Sequence, residues 1–354
     1  MLSYYSPGQC DAKSLSQNRC GEMVATSVIV VNYNGIALLA DCLNSLAAQT
    51  YRDFEVIFVD NGSSDGSVAQ AVALMPDVRI VALNENLGFA GGNNAGIRRA
   101  QGSNIVLLNN DTLVDPHFLE ELVRGVDCGR RVGMVAPKIL NYYDRTRIDS
   151  VGGLVLCRDG LGQGRGRGER DEGQYDGLGE VLVPSGCAAL FRRELLDECG
   201  LFDERFFAYC EDMDLGLRAC WAGWVAVSAP EAVVYHKYSG SSGAYSPLKM
   251  FLVERNHFFV ALKNFTCFML LALPLWSVYR YLLMAYVVAT GKGKGKAGAK
   301  WELASALVRA HFAAIAACPS VLRSKSGLRR IAPGQFAKLL RRHRLSLRQM
   351  ILSD

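Results

Sequence analysis

An apolar run followed by small polar residues is found at Ile105-Val106-Leu107-Leu108-Asn109-Asn110-Asp111-Thr112. Its four apolar residues predict a short strand that is buried on both faces, as in a parallel sheet. The strand then breaks into small polar residues whose only charge is Asp111. At the carboxyl edge of an open α/β sheet such side chains bind ligands, and carboxylate oxygens suit a hard divalent cation. The alternative is that they only cap the helix expected after Pro116.

The preceding sequence repeats this pattern of a buried strand followed by a polar cluster. Apolar strands are predicted at residues 27–31, 54–59 and 78–83. Helices are predicted at residues 36–49 and from 67 to about 74. A third helix is predicted to follow the loop at residues 84–94, which is rich in glycine and asparagine, and to end at residue 100. Strands and helices that alternate at this spacing predict a parallel, doubly wound α/β sheet. The clusters that then share one sheet edge, typical of a nucleotide site, are residues 32–35, 60–67, 84–94 and 109–112.

Two common phosphate-binding fingerprints do not follow the first strand. Neither G-x-G-x-x-G nor G-x-x-x-x-G-K-[ST] occurs there. Glycines in those motifs let the backbone approach a phosphate closely, so their absence argues against particular enzyme classes. The sequence therefore disfavours a dinucleotide-dependent dehydrogenase and a P-loop kinase.

The cysteines give no sign of a disulfide framework or a zinc site. The chain has 11 of them, an odd number, with no C-x-x-C pair. Reduced thiols of this kind are typical of a cytosolic protein. The first 22 residues are polar and lack the apolar core of a secretory signal. Residues 1–25 are therefore predicted to form a flexible extension.

A long apolar segment follows the α/β pattern. Residues 246–264 have an amphipathic helical pattern, and residues 265–290 contain one charge, Arg280, and one proline, Pro274. A helix that spans a bilayer needs about 20 apolar residues, but a central arginine costs roughly 2.5–3.5 kcal/mol on insertion scales. We therefore expect helices that lie in the membrane interface. A spanning helical hairpin is the alternative.

The net charge is uneven along the chain. Residues 292–354 carry a net charge of +12, whereas residues 1–291 carry −7. Basic segments favour either nucleic acid or the anionic leaflet of a membrane. Because the apolar segment lies next to this basic one, we expect an anionic membrane surface as partner and no nucleic acid. Residues 246–354 are thus predicted to be a helical membrane-associating region.

The polar clusters carry a resemblance to a known family. The motifs, in chain order, are V-I-V-V-N-Y-N-G, V-D-N-G-S-S-D-G-S, N-E-N-L-G-F-A-G-G-N-N-A-G and L-L-N-N-D-T. This ordered set resembles the family 2 glycosyltransferases of the GT-A fold, in particular the bacterial rhamnosyltransferase-like branch. The resemblance covers roughly residues 26–240. It implies a catalytic domain at residues 26–245, with a Rossmann-like nucleotide-sugar half at 26–115 and an acceptor half at 116–245.

The resemblance assigns donor-binding roles to the first clusters. Asp60 would hydrogen-bond the nucleobase, since an ionised carboxylate accepts from the N–H of uracil or thymine. Asn32 and Tyr33 would line the base and the ribose. The alternative for Asp60 is a simple turn and helix cap. Further candidates for contact with the donor are Asn86, Asn93 and Asn110.

A metal site is implied next to the donor. Asn109-Asn110-Asp111 occupies the position of the family's D-x-D motif, but an asparagine replaces its first carboxylate. Asp111 is therefore left as the only acid to bind Mn²⁺ or Mg²⁺. His236 lies where related enzymes place a metal-ligating histidine, and imidazole suits Mn²⁺ better than Mg²⁺. The alternative for a lone histidine is a structural role.

The second half supplies a candidate base and a charged loop. Three acids occur within Glu211-Asp212-Met213-Asp214, which is more than a helix cap needs. The resemblance places the family's E-D motif on Glu211 and Asp212, with Asp212 as the base that deprotonates the acceptor hydroxyl. Capping is the alternative for either acid. Residues 157–180 are predicted to be a long surface loop, whose Arg165 and Arg167 would meet a diphosphate or simply be solvated.

These features predict an inverting, metal-dependent glycosyltransferase; the inversion is implied by the resemblance alone. The donor would be a nucleotide-diphosphate sugar, with dTDP-rhamnose or a UDP-sugar favoured. The acceptor would be a hydroxyl of a glycan or lipid-linked acceptor in cell-surface polysaccharide synthesis. The expected location is the cytoplasmic face of the bacterial inner membrane, peripheral or partly inserted. Two alternatives stay open: a sugar-phosphate nucleotidyltransferase, and a non-catalytic nucleotide-sugar-binding subunit.

Overall fold

A computed structural model describes residues 24–129, 131–237, 246–290 and 300–353. These residues form an α/β domain against which the helices of the C-terminal third pack. The predicted extension at residues 1–25 lies almost wholly outside the described residues, as does the Lys-Gly repeat that follows residue 290.

The first half of the domain alternates strands and helices as predicted. Its strands are β1 (Thr26–Asn32), β2 (Phe54–Asp60), β3 (Arg79–Ala82) and β4 (Asn104–Asn109). Its helices are α1 (Leu39–Ala47), preceded by a short 3-10 helix at Ile36–Leu38, α2 (Ser67–Leu74) and α3 (Gly88–Arg99). The four strands pair in parallel, in the order β4, β1, β2, β3. Their carboxyl ends therefore share one edge, which confirms the predicted doubly wound half.

The second half makes the sheet mixed. Its elements are β5 (Thr112–Val114), α4 (Phe118–Val126), β6 (Val132–Asn141), β7 (Ile148–Val151), β8 (Leu154–Leu156), β9 (Gly162–Gly164), β10 (Glu180–Val181), β11 (Ala188–Arg192), α5 (Arg193–Cys199), α6 (Glu211–Trp221) and β12 (Val225–His236). β11 runs antiparallel between β4 and β6, and β12 lies parallel to β6. β8 and β9 form a separate hairpin, so the predicted loop at residues 157–180 contains a strand and is not wholly irregular.

The start of α3 differs from the sequence prediction. Residues 84–94 are predicted as a loop because glycine and asparagine are poor helix formers, yet α3 already begins at Gly88. A Cβ atom at Gly92 would lie 2.7 Å from Val31, and one at Gly96 would lie 2.5 Å from Ile29. These glycines therefore let α3 pack tightly on β1, and this tertiary contact outweighs the low helix propensity.

Helices from the C-terminal third complete the core of the domain. They are α7 (Pro247–Asn264), α8 (Cys267–Thr290), α9 (Lys300–Arg323), α10 (Pro333–Arg342) and α11 (Leu347–Ser353). Phe336 of α10 is fully buried and stacks on Trp221 with ring centroids 3.9 Å apart. The predicted domain boundary at residue 245 therefore does not divide the hydrophobic core, because residues on both sides of it pack together.

α8 and α9 each have one buried and one exposed stripe. By length and composition both are apolar enough to cross a membrane. The buried stripe of α8 contains Leu273, Ser277 and Arg280, and the apolar residues exposed on its other side include Phe268, Leu271, Leu275 and Leu282. On α9 small residues such as Ala306 and Ala310 are buried, whereas Val308, Phe312 and Ile315 are exposed. Each helix thus faces the domain with one side and offers an apolar surface on the other.

Arg280 points into the protein and not along the apolar surface. Its Nε lies 2.6 Å from Asp159 Oδ2, and its Nη1 lies 2.6 Å from Glu254 Oε1. All three side chains are almost completely buried. The cost of placing Arg280 in a bilayer, expected from the sequence, therefore does not arise in this arrangement, because Asp159 and Glu254 neutralise the guanidinium.

Glu254→Gln is expected to destabilise the fold by about 3–5 kcal/mol, because it breaks a buried ion pair and leaves Arg280 partly uncompensated. Burial acts to raise the pKa of Glu254, but the hydrogen bonds and the charge of Arg280 outweigh burial and lower this pKa from 4.5 to about 2. The contribution of Glu254 is thus complete above pH 4.5 and is lost as the pH falls toward 2. Urea unfolding measures both effects. The matched control is Glu302→Gln at an exposed position, and an equal effect of the two variants would contradict the assignment.

Candidate active site

The ends of β1, β2 and β4 bring the predicted donor residues together. Asn110 Nδ2 donates to Asn32 Oδ1 at 2.6 Å, and Asn32 Nδ2 donates to Ser63 Oγ at 3.3 Å. Asp60 closes β2 and accepts from the Ser63 N–H at 3.3 Å. Asn32, Asp60 and Asn110 are all buried, whereas Tyr33 beside them is exposed. The sheet edge therefore presents a carboxylate within an amide network and an aromatic ring at its rim.

Asn86 and Asn93 have structural partners. Asn86 Oδ1 accepts from the Gly88 N–H at 2.8 Å and from Asn61 Nδ2 at 3.0 Å, so it fixes the start of α3. Asn93 is buried and donates to the Phe89 carbonyl within the same helix. These bonds give both residues a structural role without a ligand. Their contact with a donor stays a prediction.

The predicted metal residues lie side by side. β5 and β12 pair so that Thr112 faces His236, and His236 Nε2 lies 3.3 Å from Asp111 Oδ1. On its other side His236 Nδ1 lies 2.7 Å from Asp149 Oδ2. Burial opposes protonation, but Cys187 and the two carboxylates raise the pKa of His236 well above its usual value. Asp149, which was not among the predicted residues, thus orients the imidazole.

These residues fit a divalent cation. The Asp111 oxygen and the His236 nitrogen are close enough to reach one ion, because ligand distances for such metals are about 2 Å. A carboxylate that holds the second nitrogen of a ligating histidine is the usual support for such a site. The described residues contain no group of three or more His, Cys, Asp or Glu side chains placed to hold a metal. A bound cation would therefore need ligands from the substrate as well.

The predicted base, Asp212, lies in the first turn of α6. Asp212 Oδ2 accepts from the Gly186 N–H at 2.8 Å, and Oδ1 accepts from the Met213 N–H at 2.8 Å. Burial raises the pKa of Asp212. The carbonyl of Cys187, directly after Gly186, accepts from the Asn109 N–H at 2.9 Å. This short segment therefore connects Asp212 to the strand end that carries Asp111.

Glu211 and Asp214 behave differently from Asp212. Glu211 is buried with Oε2 unbonded among the described residues, and burial together with the charge of Asp212 raises its pKa well above the usual value. Asp214 is fully buried and lies 2.9 Å from Arg218 Nε and 2.8 Å from Lys263 Nζ. Burial opposes the shift, but these two cations hold its pKa below the usual value. Asp214 is thus a structural residue.

α7 holds the segment that leads to these acids. Phe207, Tyr209 and Cys210 adopt positive φ angles of 63°, 71° and 69°, which side chains other than glycine rarely do. The amide of Asn256 donates to the carbonyls of this segment at 2.8–2.9 Å, namely those of Phe206, Ala208 and Tyr209. Strained backbone of this kind persists only where its surroundings enforce it. No sequence motif marks Asn256 for this role.

The charged loop contributes one arginine to the site. Arg167 lies close enough to Asp149 for its charge to help lower the pKa of that carboxyl, against the effect of burial. Arg165 is directed elsewhere, with Nη2 3.1 Å from His343 Nδ1. Of the two arginines singled out in the sequence, Arg167 therefore lies near Asp149, whereas Arg165 is half-buried against His343.

Sequence comparisons find relatives with a shared domain. The family model for glycosyl transferase family 2 matches residues 27–200. N-acetylglucosaminyl-diphospho-decaprenol L-rhamnosyltransferase of Mycobacterium tuberculosis is 30% identical over 244 residues, which are 61% of this chain and 77% of the relative. The O-antigen biosynthesis protein RfbC of Myxococcus xanthus is 30% identical over 227 residues, 62% of this chain and 18% of that protein.

Solved structures share the fold at low sequence identity. TarS residues 1–349 from S. aureus, in complex with UDP-GlcNAc, superpose with a TM-score of 0.53 at 18% identity and cover 85% of this chain and 91% of that one. A mannosyltransferase from Pyrobaculum calidifontis, in complex with GDP-Man and Mn²⁺, has a TM-score of 0.51 at 19% identity, covering 91% and 85%. These likenesses, with the sequence relatives and the sheet order, agree: the chain belongs to the family 2 glycosyltransferases and has the GT-A fold.

Proposed function

We propose that this enzyme transfers a sugar from a nucleotide-diphosphate sugar to a hydroxyl acceptor, with inversion at the anomeric carbon. One observation carries the proposal. Asp60, the Asp111–His236 pair and Asp212 occupy a single edge of the sheet, joined through the segment at Gly186. Asp60 and Asn32 would bind the nucleobase and ribose, and Tyr33 would cover them. The relative named as an L-rhamnosyltransferase favours dTDP-rhamnose as donor, and UDP-sugars are the second choice.

Asp212 supplies the base of the proposed reaction. Its carboxylate would take the proton from the acceptor hydroxyl as the hydroxyl oxygen attacks the anomeric carbon. Two backbone N–H groups fix the carboxylate, and burial brings its pKa closer to neutral, so the base gains strength and orientation together. Burial and the neighbouring charge of Asp212 raise the pKa of Glu211 and so favour its neutral form.

Asp111 and His236 would hold a divalent cation, with Mn²⁺ favoured over Mg²⁺ because one ligand is an imidazole. Such an ion supplies positive charge that offsets the negative charge of the departing nucleoside diphosphate. Asp149 holds the imidazole with Nε2 toward Asp111. Arg167, near Asp149, adds a second positive charge at this end of the site.

The acceptor is proposed to be a glycan or a lipid-linked sugar, and the enzyme to attach to the cytoplasmic face of the bacterial inner membrane. A relative is named for a lipid-diphosphate substrate. The exposed apolar sides of α8 and α9 support attachment in the plane of the interface. The buried pairing of Arg280 with Glu254 and Asp159 favours this arrangement over a spanning hairpin, since insertion would have to break those ion pairs.

The correct donor is expected to raise the melting temperature in the presence of Mn²⁺, because a ligand at about 100 times its Kd stabilises the fold by about 2.7 kcal/mol. A thermal-shift screen of dTDP-rhamnose and UDP-sugars measures this. Asp60→Ala should abolish the shift, whereas Asp77→Ala at an exposed position should keep it. The proposal is wrong if no nucleotide sugar stabilises the protein, or if Asp60→Ala responds like the control.

A further inference from the structure

A groove between α8 and the C-terminal segment lies away from the sheet edge. Its two ends have cavity volumes of about 430 Å³ and 390 Å³, and both are lined by Arg158, Trp276 and Arg344. Apolar side chains of α8 line the second end, namely Phe268, Met269 and Ala272. None of the donor, metal or base residues described above lines either end. The groove is thus a separate feature with one polar and one apolar part.

Three arginines surround the groove without a compensating acid. Arg158, Arg341 and Arg344 are exposed, and no carboxylate in the described part of the chain forms an ion pair with them. The nearest acid along the chain, Asp159, is fully buried against Arg280. Burial and the charges of Arg158 and Arg341 lower the pKa of Arg344. Positive charges that repel one another in this way favour an anion between them.

The arginines are held in place by the fold. The guanidinium of Arg158 lies 4.1 Å from the ring centroid of Trp276. The His343 carbonyl accepts from the Leu156 N–H at 3.1 Å, and the Leu345 N–H donates to the Leu156 carbonyl at 3.1 Å. The segment that carries Arg344 therefore continues the edge of β8, and Asp159 fixes the loop after Arg158. The fold therefore holds the backbones of Arg158 and Arg344 beside the same groove before any ligand arrives.

The groove opens beside the exposed apolar side of α8. Phe268 lines its apolar end and is 85% exposed, and Tyr279 lines its polar end and is 38% exposed. A ligand that matches this surface has an apolar chain and an anionic head. A free phosphate would leave the apolar floor unused, and a neutral lipid would leave the arginines uncompensated.

We propose that this groove binds one anionic phospholipid of the bilayer, with its phosphate against Arg158 and Arg344 and an acyl chain along Phe268 and Met269. The inference rests on the proposed membrane attachment and adds a defined lipid site to it. A bilayer lipid is favoured over the lipid-linked acceptor because no residue of the sheet-edge site lines the groove. The bound lipid would fix the orientation of the enzyme on the membrane.

The direct test is calorimetric titration of the full chain with short-chain lipids below their micelle concentration. Dihexanoyl phosphatidylglycerol is expected to bind with a stoichiometry of one per chain. The double variant Arg158→Gln with Arg344→Gln should weaken binding roughly 30-fold, since each arginine near an anionic lipid contributes about 1 kcal/mol and 1.4 kcal/mol is tenfold. The matched control, Arg309→Gln with Arg323→Gln, removes the same charge from α9 and should bind like the unmodified protein.

Three results would overturn the inference. Inorganic phosphate that binds as tightly as the lipid would mean a plain anion site. Equal losses in the groove variant and the control would mean diffuse electrostatics. An isoprenoid phosphate that binds more tightly and displaces phosphatidylglycerol would mean an acceptor subsite.

Co-sedimentation with phosphatidylglycerol vesicles separates this inference from membrane attachment. If the unmodified chain binds the short-chain lipid but does not pellet with vesicles, attachment is wrong and the lipid site stands. If the unmodified, groove and control proteins all pellet equally, attachment stands and the lipid site is wrong. The expected result is that the groove variant pellets less than the control.

Discussion

An Asp212→Asn variant is expected to lose turnover by a factor on the order of 10²–10⁴ while it binds the donor as before. The amide keeps the shape of the carboxylate but cannot take a proton from the acceptor hydroxyl. One of the backbone N–H groups of Gly186 and Met213 would then face the amide nitrogen, so a small loss of stability is also expected. Steady-state kinetics at saturating acceptor measure kcat and the KM for the donor.

The pH dependence gives a second readout of the same group. A base acts only when it is deprotonated, so kcat/KM should fall on the acid side as the pH drops through the pKa of Asp212. Burial raises that pKa from 3.8, so the acid limb should lie above the value for an ordinary aspartate. Asp212→Asn should remove this limb from the residual activity.

Asp214→Asn is the matched control, two residues further along α6. Because Asp214 pairs with Arg218 and Lys263 in the core, this variant should lose about 3–5 kcal/mol of stability. Its turnover per folded molecule should fall far less than that of Asp212→Asn. Normal turnover in Asp212→Asn, or equal losses in the two variants after correction for folded protein, would remove Asp212 as the base.

The second large effect is expected from the proposed metal site at Asp111 and His236. A chelator should abolish activity, and Asp111→Ala and His236→Ala should each raise the Mn²⁺ concentration needed to restore it. Asp149→Asn should raise it about 10- to 100-fold, as is typical of a group that orients a metal-ligating histidine. Asp111→Ala and His236→Ala, which remove the proposed ligands themselves, should raise it at least as much. Activity as a function of free Mn²⁺ measures all three, and calorimetric Mn²⁺ binding in the presence of the nucleoside diphosphate checks them independently of turnover.

Asp115→Ala tests whether any lost carboxylate near this edge has the same effect. Asp115 follows β5 but is partly exposed and contacts His117, so its removal should leave the Mn²⁺ requirement unchanged. Full activity of the unmodified enzyme in the presence of a chelator would rule out the proposed metal dependence. An unchanged Mn²⁺ requirement in His236→Ala would return that histidine to a structural role.

The parts of the fold that follow from local patterns were predictable from the sequence. Buried parallel strands are nearly continuous apolar runs, so β1, β2 and β4 stand out, and their polar ends must share an edge once the strands are parallel. The start of α3 was not predictable, because Gly92 and Gly96 have a purpose only when β1 packs against them.

The site residues that could not be identified from the sequence contact partners far away along the chain. Asp149 lies 87 positions before His236 in the sequence, and Asn256 is separated from the carbonyls that it holds by 47–50 positions. Neither residue forms a motif by itself, since each acts only through a neighbour supplied by the fold. The same holds for Arg280, whose apolar surroundings in the sequence conceal the two carboxylates that neutralise it.

This sheet edge is proposed to transfer a sugar from a nucleotide-diphosphate sugar with inversion. The most direct measurement is NMR analysis of one reaction with the donor selected by the thermal-shift screen, Mn²⁺ and a lipid-diphosphate sugar acceptor. We expect release of the nucleoside diphosphate and a product whose anomeric configuration is opposite to that of the donor. Release of pyrophosphate, or a product that retains the donor's configuration, would contradict the account.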